Sequence, residues 1–252
     1  YDIRLSLVVS EMCIRDSLCT DRPLSQASQL PLWIDVHRAN ELRTIDLFKH
    51  AQSLLCFAPD PAKGCAMEPL ATNAALLIID MQQGMNDPTL GRRNNPDAEV
   101  QIQHLQRAWR QSNRPVVHVR HMSRSEGSVF WPGQPGCEFQ PALAPLKHEH
   151  VVEKNVPDAF AATGLERWLH VRGIRQLVIV GVITNNSVES TARSGGNLGF
   201  EVTVAADACY TFDQADLSGR LWPAEDVHAL SLSNLAMDYA RVTATADILA
   251  ML

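Results

Sequence analysis

The composition of this 252-residue chain, with 46% hydrophobic and 20% charged residues, is that of an ordinary globular protein. Its net charge is −6, from 22 Lys and Arg against 28 Asp and Glu, and no basic block stands out, so we expect no nucleic-acid partner. No stretch approaches the roughly eighteen uninterrupted apolar residues that a membrane helix needs, so we expect no membrane partner either.

The six cysteines form no Cys-x-x-Cys pair and supply no framework for a metal site or for disulfides. They are Cys13, Cys19, Cys56, Cys65, Cys137 and Cys209. An even number of cysteines is also compatible with three disulfide bridges in a secreted protein. However, we see no signal-peptide architecture at the start of the sequence. We therefore expect reduced thiols in a cytoplasmic protein.

Residues 1–72 are expected to be a weakly ordered extension without a function. The chain opens on Tyr1, which indicates a fragment or an extended reading frame, and residues 9–17 resemble translated sequencing-adapter sequence, which would make that stretch an artefact. An amphipathic helix is predicted within residues 32–57, and Pro and Gly residues at 59–69 mark a linker. The domain proper is expected at 73–252.

From Asn73 onward, strands alternate with helices, which predicts right-handed crossovers and a parallel sheet covered on both faces. The predicted strands are Ala74–Asp80, Pro115–Arg120, His150–Lys154, Gln176–Val182, Glu201–Asp207 and Arg241–Thr245. The predicted helices are Val100–Gln111, Gly164–Arg172, Ser187–Asn197 and Ala224–Met237.

Three apolar segments each lead to one reactive side chain. Residues 76–79 lead to Asp80, residues 151–152 lead to Lys154, and residues 177–183 lead to Ser187. The carboxyl ends of parallel strands converge on one crevice, where ligands bind. The sequence therefore delivers a carboxylate, an ammonium and a hydroxyl to one edge of the sheet, which predicts an active site.

Three motifs carry a resemblance to a known family. They are Ile79-Asp80-Met81-Gln82, then Glu153-Lys154 with Ala159-Phe160 and Thr163-Gly164-Leu165, and last Gly181-Val182-Ile183-Thr184-Asn185-Asn186-Ser187-Val188-Glu189 with Thr191-Ala192-Arg193. With these three motifs in this order, the chain resembles the isochorismatase-like hydrolases, also called cysteine hydrolases. The resemblance covers about residues 73–252. The resemblance implies an α/β fold with a doubly wound, Rossmann-like six-stranded parallel sheet and helices on both faces.

The resemblance also implies a catalytic triad. Asp80 would be the general base, Lys154 would stabilise developing negative charge, and Ser187 occupies the nucleophile position. The peptide bond Val182–Ile183 would be cis, and backbone N–H groups there and at Ser187 would form an oxyanion hole. The predicted substrate-binding residues are Gln82, His121, Trp131, Phe160 and Asn186.

Serine at position 187 departs from the family, whose nucleophile is usually cysteine. A helix N-terminus and a lysine can ionise a thiol near neutral pH, whereas a hydroxyl needs a base that acts in concert with attack. Four interpretations stay open: a serine hydrolase, an enzyme that activates water directly, an inactive relic, and a serine that only caps the helix. Cys209 near the end of the predicted fifth strand is a minor alternative, since most buried cysteines are packing residues.

A metal site is not expected. His118 and His121 are three apart on a predicted strand, which points their rings to opposite faces, and no Asp-x-His precedes them. His118 is expected in the core. The loop 123–136 is either a lid over the site or an irregular surface loop.

The sequence thus predicts a hydrolase acting on a small amide or another non-peptide C–N bond. Substrates of the resembled family include nicotinamide, carbamoylated amines, ureido acids, biuret and the lactam of streptothricin, and the motifs do not choose among them. The alternatives are hydrolysis of an enol ether such as isochorismate by direct attack of water, and an inactive binding homologue. We expect a small-molecule substrate, a homo-oligomer, and neither a metal nor another cofactor.

Overall fold

The computed structural model describes residues 68–252 of the chain. The helix predicted within residues 32–57 and most of the predicted linker lie outside this part of the chain. In the described part, no helix is both long and apolar enough to cross a membrane.

Six parallel strands form the sheet, in the order β3-β2-β1-β4-β5-β8. They are β1 (Ala75–Ile79), β2 (Val116–His121), β3 (His150–Lys154), β4 (Gln176–Val182), β5 (Glu201–Tyr210) and β8 (Arg241–Thr243). A small antiparallel hairpin of β6 (Gln214–Ala215) and β7 (Leu221–Trp222) stands apart from the sheet. The six predicted strands and the predicted parallel sheet are confirmed.

Helices cover both faces of the sheet, which confirms the doubly wound α/β class. They are α1 (Ala98–Gln111), α2 (Leu165–Val171), α3 (Glu189–Asn197), α4 (Ala224–Asp238) and α5 (Thr245–Ala250), and a π-helix (Thr184–Val188) precedes α3. The four predicted helical stretches are present, but regular helix begins at Glu189 and not at the predicted Ser187. The hairpin and α5 were not predicted, because elements of two to six residues carry little periodicity.

The core consists of two apolar layers, one on each face of β1. Alternate residues of a strand point to opposite faces. Leu77 and Ile79 pack with buried residues of α2, α3 and α4, whereas Leu76 and Ile78 pack with those of α1 and α5. All five residues of β1 are at most 1% exposed, as expected for a central strand of a parallel sheet.

The strand order places a topological switch point between β1 and β4. The chain runs from β1 outward through β2 to β3, and then returns to the other side of β1 to form β4. In doubly wound sheets, the crevice at such a point lies beyond the carboxyl ends of the two strands. The residues that follow β1 and β4 therefore lie beside each other.

Residues just before the predicted boundary at residue 73 make contacts with the sheet domain. The N–H of Leu70 donates to the Met251 carbonyl (2.8 Å), and the N–H of Ala71 donates to the Gln176 side chain (2.7 Å). Leu70 also packs against the apolar layer that contains α1 and α5.

We expect a protein shortened to residues 68–252 to keep the melting temperature of the full chain, because every strand of the sheet is retained. A protein that begins at Asn73 lacks the Leu70 and Ala71 contacts and should lose about 1–3 kcal/mol of stability. Thermal and urea denaturation of the two truncations beside the full chain measure this. A marked loss of stability on removal of residues 1–67 alone would contradict the expectation.

Candidate active site

Asp80 lies directly after β1 at the switch point. Its N–H donates to the Val119 carbonyl at the end of β2 (2.9 Å), and its backbone has φ of 51°, in the left-handed region. Asp is one of the few residues besides Gly that tolerates this region, and such conformations cluster at functional sites. The sharp turn ends the strand and leaves the side chain only 1% exposed.

Lys154, the last residue of β3, contacts both other members of the predicted triad. Its Nζ donates to Asp80 Oδ2 at 2.6 Å and to Ser187 Oγ at 3.2 Å. No part of the lysine side chain is exposed, and Ser187 is 6% exposed. The structure thus brings together three side chains that come from three separate strand ends.

Gly181 allows β4 to approach β1 closely enough to build this arrangement. Its φ is 120°, and a Cβ placed there would lie 2.1 Å from the Ile79 carbonyl oxygen. No side chain fits at that distance, so only glycine is compatible with this packing. Gly181 also adjoins the irregularity in the β4–β5 register, between Ile179 and Gly181.

Ser187 lies in the π-helix, after the cis peptide bond Val182–Ile183. The N–H groups of Asn186 and Val188 both donate to the Ile183 carbonyl (3.0 and 3.2 Å), which closes the backbone around the serine. Single π turns of this kind occur often at functional sites.

Helix α4 packs against this turn and forms two polar contacts that the sequence did not predict. His228 Nδ1 lies 2.9 Å from Thr184 Oγ1, and the Ser231 hydroxyl donates to Glu189 Oε2 at 2.6 Å. His228 is a polar residue on the buried face of α4. That position is a signal that it has a partner, but the sequence does not say which one.

Burial raises the pKa of the Asp80 carboxyl above its usual range, and the adjacent Lys154 ammonium only partly offsets this effect. The second carboxylate oxygen, Oδ1, has no hydrogen-bond partner among residues 68–252. An unpartnered buried oxygen costs free energy, and at a cleft it marks a position for a ligand or water. Asp80 is therefore suited to accept a proton.

His121 lies near the charged pair. Burial lowers the pKa of its imidazole, the Lys154 charge lowers it further, and Asp80 acts in the opposite direction. Its ring makes an edge contact with Phe130 of the loop 123–136, at 6.1 Å between centroids. His121 thus offers a neutral imidazole at the same edge of the sheet.

Gln82 was predicted to bind substrate, but its amide is occupied by main-chain groups. Its Oε1 accepts from the His121 N–H (2.7 Å), and its Nε2 donates to the carbonyls of His121 and Cys137 (3.0 Å each). The residue is fully buried. Gln82 therefore fixes the end of β2 and the loop 123–136 relative to β1.

The other predicted substrate-binding residues have different environments. Phe160 is 8% exposed and packs in the core against Phe200, at 5.7 Å between ring centroids, which is the environment of a structural residue. Trp131 is half-buried in the loop, and Asn186 is exposed beside Ser187. A cavity of about 420 Å³ is lined by Asn185 and Glu189 but not by the triad, so we assign the chemistry to the polar cluster and not to this cavity.

Neither described cysteine replaces the missing thiol nucleophile. Cys209 is fully buried within β5, and burial raises the pKa of its thiol to about 12. Cys137 is 2% exposed, its Sγ donates to the Trp131 carbonyl (3.0 Å), and burial raises its pKa as well. Both thiols would stay protonated and unreactive near neutral pH.

Within residues 68–252, no group of three or more His, Cys, Asp or Glu side chains is arranged so that it could hold a metal ion. His118 is fully buried, and its Nε2 lies 2.9 Å from Glu149 Oε2. It has the core position that the sequence predicts.

Known protein families and solved structures include close matches to this chain. The model of the isochorismatase domain matches residues 74–247. A crystal structure of a putative hydrolase of the isochorismatase family from Chromobacterium violaceum superposes with a TM-score of 0.70 at 47% identity, over 73% of this chain and 96% of that chain.

Curated relatives carry several functional names. The uncharacterized isochorismatase family protein YrdC of Bacillus subtilis is 31% identical over 69% of this chain and 94% of its own length. Nicotinamidase 3 of Arabidopsis thaliana is 29% identical over 69% of this chain and 85% of its own length. Ureidoacrylate amidohydrolase RutB of Acinetobacter baylyi is 37% identical over shorter stretches, 36% of this chain and 38% of its own length.

Proposed function

Because the chain belongs to the isochorismatase family of hydrolases, we propose that it hydrolyses the C–N bond of a small amide with Ser187 as nucleophile. The observation that carries this proposal is the buried contact of one lysine with both the carboxylate and the hydroxyl. Relatives named as a nicotinamidase and as an amidohydrolase support the choice of an amide.

The hydrogen bonds of Lys154 support a path for the serine proton. Lys154 Nζ donates to both Ser187 Oγ and Asp80 Oδ2, so the ammonium joins the hydroxyl to the carboxylate. As Oγ attacks the substrate carbonyl carbon, its proton passes to Nζ while Lys154 gives one of its own protons to Asp80. Lys154 thus stays charged throughout, and Asp80 becomes the neutral acid.

The same groups complete the reaction. The protonated Asp80 returns its proton to the leaving nitrogen as the C–N bond breaks, which leaves an acyl group on Ser187. Water then attacks the acyl carbon and gives a proton to Asp80, and this proton returns through Lys154 to Ser187 Oγ as the acid is released, which restores the Asp80 carboxylate. A base whose pKa is raised toward the working pH suits both directions of transfer.

Negative charge that develops on the substrate oxygen needs donors near Ser187. The N–H groups of Asn186 and Val188 donate to the Ile183 carbonyl, and we assign the oxyanion hole to the N–H groups of Ile183 and Ser187. The Lys154 ammonium adds a fixed positive charge beside the reacting atoms. His121, Trp131 and Asn186 remain the side chains available to contact the substrate.

One observation favours a second candidate. Asp80 Oδ1 is buried without a partner in residues 68–252, and a water held there could attack an enol ether such as isochorismate directly. In that reaction Ser187 would only orient the water. An inactive relic is less compatible with the structure, since a buried ion pair is costly to keep without a use.

Ammonia release from a panel of small primary amides and ureido compounds, with isochorismate as the enol-ether alternative, tests the proposal on purified full-length protein. We expect at least one amide to be hydrolysed and this activity to be absent in Asp80→Asn. Turnover of isochorismate alone would favour the second candidate. No turnover of any compound, with the fold intact, would contradict both.

A further inference from the structure

A second cavity lies at the amino-terminal ends of the strands. Asp80, Lys154 and Ser187 lie at the opposite, carboxyl-terminal ends. It has a volume of about 390 Å³ and is bordered by the ends of α1 and α2 and by the starts of β2 and β3. Five residue steps along β2 separate its first residue, Val116, from His121 at the catalytic edge, which is roughly 16 Å. A ligand in this cavity could not touch the proposed nucleophile.

The cavity is rich in basic side chains, although the whole chain has a net charge of −6. Its lining includes Arg110, Arg114, Arg172, His148 and His150. The one acidic residue among the lining groups is Glu149, whose carboxylate accepts from Arg110 Nε and Nη2 at 2.7 and 2.8 Å. That pair is electrically neutral, so it neither attracts nor repels an anion strongly.

Arg114 and Arg172 therefore supply the net charge. Neither forms an ion pair with an Asp or Glu side chain among residues 68–252. Within residues 68–252, the Arg114 guanidinium makes long contacts, at 3.3–3.4 Å, to the main-chain oxygens of Leu70, Ala71 and Leu252. A guanidinium has five N–H donors, and these contacts use them poorly.

Trp168 holds Arg172 in place. The Arg172 guanidinium carbon lies 4.1 Å from the Trp168 ring centroid, and the His150 ring stacks on the indole at 4.4 Å. Burial lowers the pKa of His150, and the positive charge of Arg172 lowers it further. Arg172 also follows the last turn of α2, where a cation stabilises a helix, but this role does not account for Arg114.

Apart from Asn113 and the Trp168 indole, the rest of the lining is aliphatic and consists of Pro115, Val116 and Leu146. A volume near 400 Å³ falls at the lower end of the range for small-molecule sites, in which an apolar lining carries a few polar groups that fix orientation. Two guanidinium forks match the oxygens of a phosphate group better than those of a single carboxylate.

We propose that this cavity binds a small phosphate monoester, with the phosphate between Arg114 and Arg172 and the organic group on the wall of Pro115, Val116 and Leu146. The site is separate from the hydrolytic site and does not depend on the proposed function. The cavity is lined by His150, the first residue of β3, and the same strand ends in Lys154. A bound ligand would therefore contact the strand that carries the proposed catalytic ammonium.

Isothermal titration of the full-length protein with phenyl phosphate at constant ionic strength tests this site. We expect saturable binding at one site, at least tenfold tighter than that of inorganic phosphate. Arg114→Gln and Arg172→Gln should each weaken binding about tenfold or more, because each removes charge-assisted hydrogen bonds. Arg167→Gln is the matched control, since Arg167 is exposed on the same helix outside the cavity.

Arg172→Lys is included in case Arg172→Gln fails to fold. It keeps the positive charge and the aliphatic side chain but loses the planar guanidinium. Its affinity for phenyl phosphate should fall between those of wild type and Arg172→Gln. Non-saturable binding of phenyl phosphate would overturn the proposal. So would equal affinity for inorganic phosphate, or an equal loss in Arg167→Gln.

Discussion

Lys154→Met is expected to abolish hydrolysis and also to destabilise the protein. The substitution removes the ammonium that donates to both Asp80 and Ser187 and leaves a carboxylate that is 1% exposed without its counter-charge. Breaking a buried ion pair from one side costs about 3–5 kcal/mol, and loss of a proton-transfer group costs roughly 10²–10⁴-fold in rate. Activity assays and urea denaturation at pH 7 measure both effects.

The stability loss in Lys154→Met should depend on pH with a definite sign. Asp80 already has a raised pKa, and removal of the ammonium raises it further, so the folded state binds a proton that the unfolded state releases. Stability of the variant should therefore fall as pH rises above about 3.8, the ordinary pKa of Asp, and the deficit should be smaller at pH 5 than at pH 7. A deficit that grows toward low pH would contradict the assigned ion pair.

Lys147→Met is the matched control for this experiment. Lys147 is exposed in the loop before β3 and forms no ion pair with another residue of 68–252. Its replacement removes the same charge and the same side chain from a position near β3 in the chain. Stability should change by less than about 0.5 kcal/mol, and activity should be retained.

Ser187→Ala and Ser187→Cys should change activity in opposite directions. If Oγ is the nucleophile, the alanine variant loses amide hydrolysis by at least about a thousandfold, because no group remains to form the acyl intermediate. The cysteine variant should keep or raise the rate, since the helix N-terminus and the Lys154 ammonium can hold a thiol as thiolate. Rates with the best amide from the panel, at several pH values, measure this.

Ser190→Ala serves as the control on the same helix, because Ser190 is half-buried and its hydroxyl forms no hydrogen bond with residues 68–252. It should retain wild-type activity. Full retention of activity in Ser187→Ala, with nearly complete loss in Asp80→Asn, would instead indicate direct attack by water on the substrate.

The centre of the sheet could be read from the sequence because β1 and β4 are continuous apolar runs. The five residues of β1 and six of the seven in β4 are buried, so no alternation obscures their boundaries. The turn after β4 could not be read in the same way. A π-helix of five residues has no sequence period of its own, so the predicted helix was placed from Ser187 onward and the regular helix begins two residues later.

The three reactive side chains were predictable because each stands at the end of a strand, where topology alone brings them to one edge. Gln82 was not predictable, although it follows β1 just as Asp80 does. Its partners are main-chain groups of His121 and Cys137, which are 39 and 55 residues away. An amide that binds substrate and an amide that fastens two loops look alike in sequence, and only the packing distinguishes them.

Detection of an acyl group on Ser187 tests the central claim most directly. Wild-type protein is mixed with an ester analogue of the best amide, quenched in acid after less than one turnover, and measured by intact mass and peptide mapping. We predict a mass increase equal to the acyl group, located on the peptide that contains Ser187 and absent from Ser187→Ala. Rapid hydrolysis with an unmodified protein mass, at the same level in Ser187→Ala, would contradict the account.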